Sequence, residues 1–158
     1  MTTTPQSSFT IRRMLPGSPR HAWRFWADPA LKQRWTDCHP DWTVLERNSD
    51  FAIGGVECQL LRGPDGREQR VDTHYLDLQP NRRIVYAYSM HLDDAPLSAS
   101  LVTIDFLARA DGTELLFVEH LALLDGSTDA ALRQSGTNEA IDRIAALFTA
   151  EMAGATSH

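Results

Sequence analysis

Cysteine and lysine are scarce in this chain, and no long apolar run is present. Cys38 and Cys58 are its only cysteines in 158 residues. They form no C-x-x-C pair, and a chain of this length buries about 70% of its unfolded surface, so it folds without covalent staples. The expectation is two reduced thiols. Lysine occurs once, at Lys32, and no basic run offsets a formal charge of −6. Nucleic acid calls for a positive surface, so a nucleic-acid partner is not expected. No apolar stretch reaches the length of a membrane span, and "MTTTPQSSF" has neither the basic nor the apolar region of a signal peptide. A cytoplasmic protein without membrane contact is expected.

Catalytic signatures are equally sparse. There is no G-x-S-x-G elbow, no G-x-x-x-x-G-K-[ST] phosphate loop, no H-E-x-x-H and no Gly-rich dinucleotide fingerprint. Hydrolase, kinase and dehydrogenase readings lose their support. His74, His91 and His120 are far apart, Cys38-His39 runs into Pro40, and Asp93-Asp94 does not complete a calcium-loop pattern. No metal and no cofactor are expected.

What is present is patterned. Tryptophan is confined to Trp23, Trp26, Trp35 and Trp42. "FTIRRM" (9–14) alternates as a strand that stops near Leu15, where "LPGSP" breaks it. Ser18-Pro19 and Asp28-Pro29 each pair a capping side chain with a proline, which needs no N–H donor in the first helical position. Two short helices follow. In the first, Ala22, Trp23, Phe25, Trp26 and Ala27 cover more than half the circumference, as in a helix wedged between two surfaces. In the second, Leu31 and Trp35 share a face at i and i+4.

From Trp42 the period changes to two. Six segments, from "WTVLER" to "TELLFVEHLAL", are rich in β-branched and aromatic residues and separated by "GG", "GPDG", "QPN", "DDAP" and "ADG". Such spacing predicts an antiparallel meander. Ala140, Ile141, Ile144, Phe148 and Met152 then return to helical spacing, predicting one long helix from about Ser127 to Met152. With no repeat or linker, 1–158 reads as a single α+β domain with an ordered core over about 9–152.

This order of elements resembles the helix-grip fold of the START-like, or SRPBCC, superfamily. "AWRFWADPALKQRW" (22–35), Gly54-Gly55, "RGPDG" (62–66), "YLDLQPNRRIVYAY" (75–88) and "DGTELLF" (111–117) are similar to its heat-shock ATPase activator homologue (AHSA-type) branch. The resemblance implies a curved sheet wrapped round the long helix, with a cavity between them. In that pattern Trp23 and Trp26 fill the core junction and Trp35 lies near the cavity mouth, where Thr36 replaces a second aromatic.

The same pattern turns Ile84, Tyr86, Tyr88, Val102, Ile104, Phe106, Leu115, Phe117 and Glu119 inward. It also brings Glu57 and Gln59 to places where bulky aromatics are usual. An inward Glu57 without a donor such as a Tyr hydroxyl or an Arg would have its pKa raised by desolvation, making it a candidate acid or base. A register one residue over would put Glu57 and Gln59 in solvent and Cys58 inside. Gly136 matches the glycine of a Gly-Trp pair in the family's last helix, with Thr137 in place of the aromatic. The expected lining is therefore Trp35, Glu57, Gln59, Tyr75, Tyr86, Tyr88, Phe117 and Gly136. Val85, Ala87, Leu116 and Val118 face outward, where an apolar patch suits a homodimer.

Three functions are compatible with this reading. The first is binding of a small hydrophobic or aromatic molecule; the second is cyclase- or aromatase-like chemistry on polyketides in the same cavity; the third is a protein-interaction role of the chaperone-activator kind.

Overall fold

The computed structural model describes residues 3–36 and 40–156. Strand β1 (Gln6–Leu15) leads into helices α1 (Pro19–Ala27) and α2 (Pro29–Thr36). Strands β2 (Thr43–Asn48), β3 (Val56–Arg62), β4 (Glu68–Gln79), β5 (Arg83–Leu92), β6 (Ala95–Arg109) and β7 (Gly112–Leu123) follow, and α3 (Ala131–Thr156) ends the chain. All seven strands form one curved antiparallel sheet in the order β1-β7-β6-β5-β4-β3-β2. The fold is α+β and of the helix-grip kind. Only β1 departs from the meander: it pairs with β7, Gln6 opposite Ala122 through Leu15 opposite Thr113, and so closes the sheet beside α3.

Both proline-led helices begin where the sequence puts them. Ser18 Oγ accepts the His21 amide, and Asp28 Oδ1 accepts the Ala30 amide at 2.9 Å. These bonds satisfy amides left over at a helix start. Ala22, Phe25 and Trp26 of α1 are buried, and the Phe25 ring stacks on Phe148 of α3 at 5.3 Å. Trp23 packs between Phe51 and Phe106, with both centroid separations 5.6 Å. Burying each such ring is worth about 1.5–3 kcal/mol, which pins α1 between sheet and helix. Thus Trp23 and Trp26 do hold the core junction.

Turns conform to their chemistry. Asp93 and Asp94, at φ 47° and 67°, form the two-residue β5–β6 connection with both central residues left-handed, as the twist of a tight hairpin demands. In the β6–β7 turn Gly112 adopts φ 145°, and a β-carbon there would collide with the Leu15 carbonyl oxygen.

Helix α3 starts later than the apolar stripe predicts. Asp125 Oδ1 accepts the Ser127 amide and Asp129 Oδ1 the Ala131 amide, each at 3.0 Å, and residues 125–130 are a bend and irregular backbone instead of the first helical turn. Local bonding by Asp side chains competes with the helix ladder there. At the other end α3 continues to Thr156, and Met152 is 40% exposed instead of joining Ile141, Ile144 and Phe148 in the core. The helix lies against β1 and α2 and stands off the middle of the sheet. On the opposite sheet face Val85, Ala87, Leu116 and Val118 are half-buried, with the more exposed Leu101 beside Ala87. Cys58 lies on that face as a buried free thiol; burial and the neighbouring Asp72 push its pKa up. Cys38 lies outside the described residues.

Candidate ligand-binding cavity

Because strand side chains alternate, the concave face receives Gln69, Val71, Thr73 and Tyr75 from β4 and Tyr86, Tyr88 and Met90 from β5. Opposite them α2 contributes Lys32, Trp35 and Thr36, and α3 contributes a row from Leu132 to Ile144. Together with Trp26, Glu57 and Phe117 they line a half-open cavity of about 490 Å³. This volume falls within the range of small-molecule sites. Gly136 has open space where a β-carbon would stand, so α3 presents bare backbone to the void. Leu132 is 90% exposed yet borders the cavity, marking its mouth.

Of the eight residues read from the sequence as lining, seven meet here: Trp35, Glu57, Tyr75, Tyr86, Tyr88, Phe117 and Gly136. Gln59 is the exception. It shares a face with Glu57, but β3 is second from the sheet edge and Gln59 sits against Arg47 of the edge strand β2, outside the cavity. Trp35 is held by its indole N–H, which donates to the Phe25 carbonyl at 2.7 Å, and by its packing on Trp26. Thr36 spends its hydroxyl on the Lys32 carbonyl of its own helix, so it adds little polarity.

One end of the cavity is built around an ion pair. The Lys32 ammonium donates to Glu57 Oε1 at 2.6 Å and to the Tyr75 hydroxyl at 2.9 Å, and Ser49 Oγ donates to the same carboxylate oxygen at 2.9 Å. Glu57 is therefore compensated by the chain's single lysine together with the Ser49 hydroxyl, and no arginine takes part. Burial, and then the Glu57 charge, push the Tyr75 pKa well above that of an ordinary phenol.

The other end is a denser network. Glu119 on β7 is only 1% exposed, and its Oε2 accepts from Tyr88 at 2.7 Å and Ser100 at 2.8 Å. Arg133 reaches over from α3, donating to the Tyr88 hydroxyl at 2.9 Å, to Ser98 Oγ at 2.7 Å and, at 3.4 Å, to Glu119. A buried carboxylate survives only with such partners. Burial and the Glu119 charge keep Tyr88 protonated, overriding the opposing effect of Arg133. Sequence reading turned Glu119 inward but assigned it no role. It missed Lys32 and Arg133, whose sequence signal was a lone lysine on α2 and an arginine in the first turn of α3.

Between the two ends stands Tyr86. Its ring centroid is 6.0 Å from that of Tyr75 and 6.0 Å from that of Tyr88, so three phenols form a ladder along the cavity wall. Among the described residues Tyr86 alone of the three makes no side-chain hydrogen bond. Burial keeps this phenol un-ionised. No group of three or more His, Cys, Asp or Glu side chains among the described residues is placed to hold a metal ion, and no helix among them is long and apolar enough to cross a membrane.

Solved structures share this architecture over nearly its whole length. An uncharacterized protein from Rhizobium leguminosarum superposes with a TM-score of 0.86 at 35% identity, covering 93% of this chain and 97% of its own. A protein from Rhizobium loti gives 0.84, also at 35% identity, over 92% and 99% of the two chains. The AHSA1-like protein from Aeromonas hydrophila, at 22% identity, shares the fold with a TM-score of 0.64 over 93% and 94%. No curated protein matches. Residues 16–149, from the α1 cap through the last core turn of α3, match the family described as Activator of Hsp90 ATPase homolog 1-like protein, and the chain belongs to that family.

Proposed function

We propose that this chain binds a small, largely apolar or aromatic molecule between the sheet and α3. The observation that carries this reading is the void itself, about 490 Å³, with a mostly apolar lining surface, its two cations already paired, and bare backbone at Gly136. Apolar walls supply affinity by burial, and a few placed polar groups orient the guest. A cyclase-like reaction would use the same space. It finds less support, because the carboxylate suggested as its acid or base, Glu57, is tied up by Lys32 and Ser49.

The test is a thermal-shift screen of aromatic compounds against the wild-type chain and Gly136→Leu. A guest that binds the folded state raises the melting temperature by mass action. Leucine at 136 fills part of the void and replaces a helical glycine, so it should melt no lower than wild type. Stabilising compounds for the wild type that fail to stabilise Gly136→Leu are the expected result. Absence of any stabilising compound, or equal stabilisation of both proteins, would refute the proposal.

A further inference from the structure

On the cavity reading above, the chain's own ion pairs constrain the charge a guest can carry. Two cations line the cavity, and each already faces a carboxylate of the chain: Lys32 meets Glu57, and Arg133 meets Glu119. The phenols at both ends are committed to the same pairs. An anionic guest would be stripped of water without gaining an unpaired cation, which is costly. A cationic guest would face the same barrier with no unpaired carboxylate.

The uncommitted polar groups point another way. Tyr86, Thr73 and Gln69 line the cavity, and none of the three side chains makes a hydrogen bond among the described residues. Tyr86 sits at the middle of the tyrosine ladder, with apolar Val71 and Phe117 also in the wall. A protonated phenol there offers one hydrogen to an acceptor. We infer that the cavity selects an uncharged aromatic molecule whose acceptor oxygen takes the hydrogen bond of Tyr86, and that its two internal ion pairs exclude carboxylates.

Three naphthalenes substituted at the same ring position isolate these terms by calorimetric titration: the acetyl compound, the ethyl compound and the carboxylate. The acetyl compound should bind wild type about 3–10-fold more tightly than the ethyl compound, the usual net effect of one hydrogen bond. Tyr86→Phe should erase that preference, so that the acetyl and ethyl compounds bind the variant with similar affinity. Naphthoate should bind wild type more weakly than either and gain affinity in Glu57→Gln, where Lys32 loses its carboxylate partner. Naphthoate binding as tightly as acetylnaphthalene, or a ketone preference that survives Tyr86→Phe, overturns the inference while the cavity reading stands. If none of the three binds wild type, the inference is overturned, and the thermal-shift screen decides separately whether the cavity reading stands.

Discussion

Lys32 and Glu57, on α2 and β3, meet at 2.6 Å although 25 residues separate them in the chain. The contact ties a helix that buries no side chain fully to the outer part of the sheet, and both side chains are about one-fifth exposed. Removing one partner strands the other charge in a poorly hydrated place. Lys32→Met should cost about 1–3 kcal/mol, below the 3–5 kcal/mol of a fully buried pair because solvent screens part of it. The double variant Lys32→Met/Glu57→Gln should lose less than the two single variants together. Urea unfolding of all four proteins measures this, and strictly additive losses would show that the pair contributes no coupling.

The tyrosines make stability fall in alkali. Tyr75, Tyr86 and Tyr88 all have pKa values raised above the ordinary 10.0, chiefly by burial. Their neutral forms are favoured in the folded state, so the folding advantage is complete below pH 10 and declines as pH rises beyond it, when the unfolded chain ionises first. These are the only tyrosines in the sequence. Phenolate absorbance should therefore stay absent above pH 10 until the protein unfolds, then appear in one cooperative step. Separate titration of one tyrosine near 10 in the folded protein would contradict this.

Gly17 lies against the edge of the fully buried Phe148 ring, and a β-carbon there would overlap it. Phe148 has little room to yield, being stacked on Phe25. Gly17→Ala should destabilise the protein by about 1–3 kcal/mol through overpacking. Pairing it with Phe148→Leu should cost less than the two changes separately, as read from melting midpoints and denaturant curves.

Asp94 pays for the β5–β6 turn with a φ of 67°. Glycine adopts that angle without a steric penalty, so Asp94→Gly should stabilise by about 0.5–1 kcal/mol after its extra unfolded-state entropy is counted. Asp93 is different: its Oδ1 accepts the Glu68 amide at 2.9 Å, and Asp93→Gly should gain nothing. A comparison of the two melting temperatures distinguishes them.

Local chemistry made most of the architecture legible from the chain alone. Period two announced the meander from β2 to β7, Ser18-Pro19 and Asp28-Pro29 announced both short helices, and Asp93-Asp94 marked a turn, because alternation, caps and turns depend on neighbours within a few residues. Where local signals competed, the reading slipped: Asp125 and Asp129 bond nearby amides and delay α3, whereas its apolar spacing pointed to an earlier start.

The sequence by itself determined which side chains share a sheet face and which residues open and close each element, since these follow from backbone geometry and short-range hydrogen bonds. Only the tertiary structure decided who meets whom across the cavity: that Glu57 is answered by Lys32, that Arg133 reaches Glu119 and Tyr88, that Gln59 falls outside, and that Tyr86 keeps its hydroxyl uncommitted. Those outcomes depend on how far α2 and α3 stand from a curved sheet. That distance is set by packing between segments remote in sequence, and alternation carries no record of it.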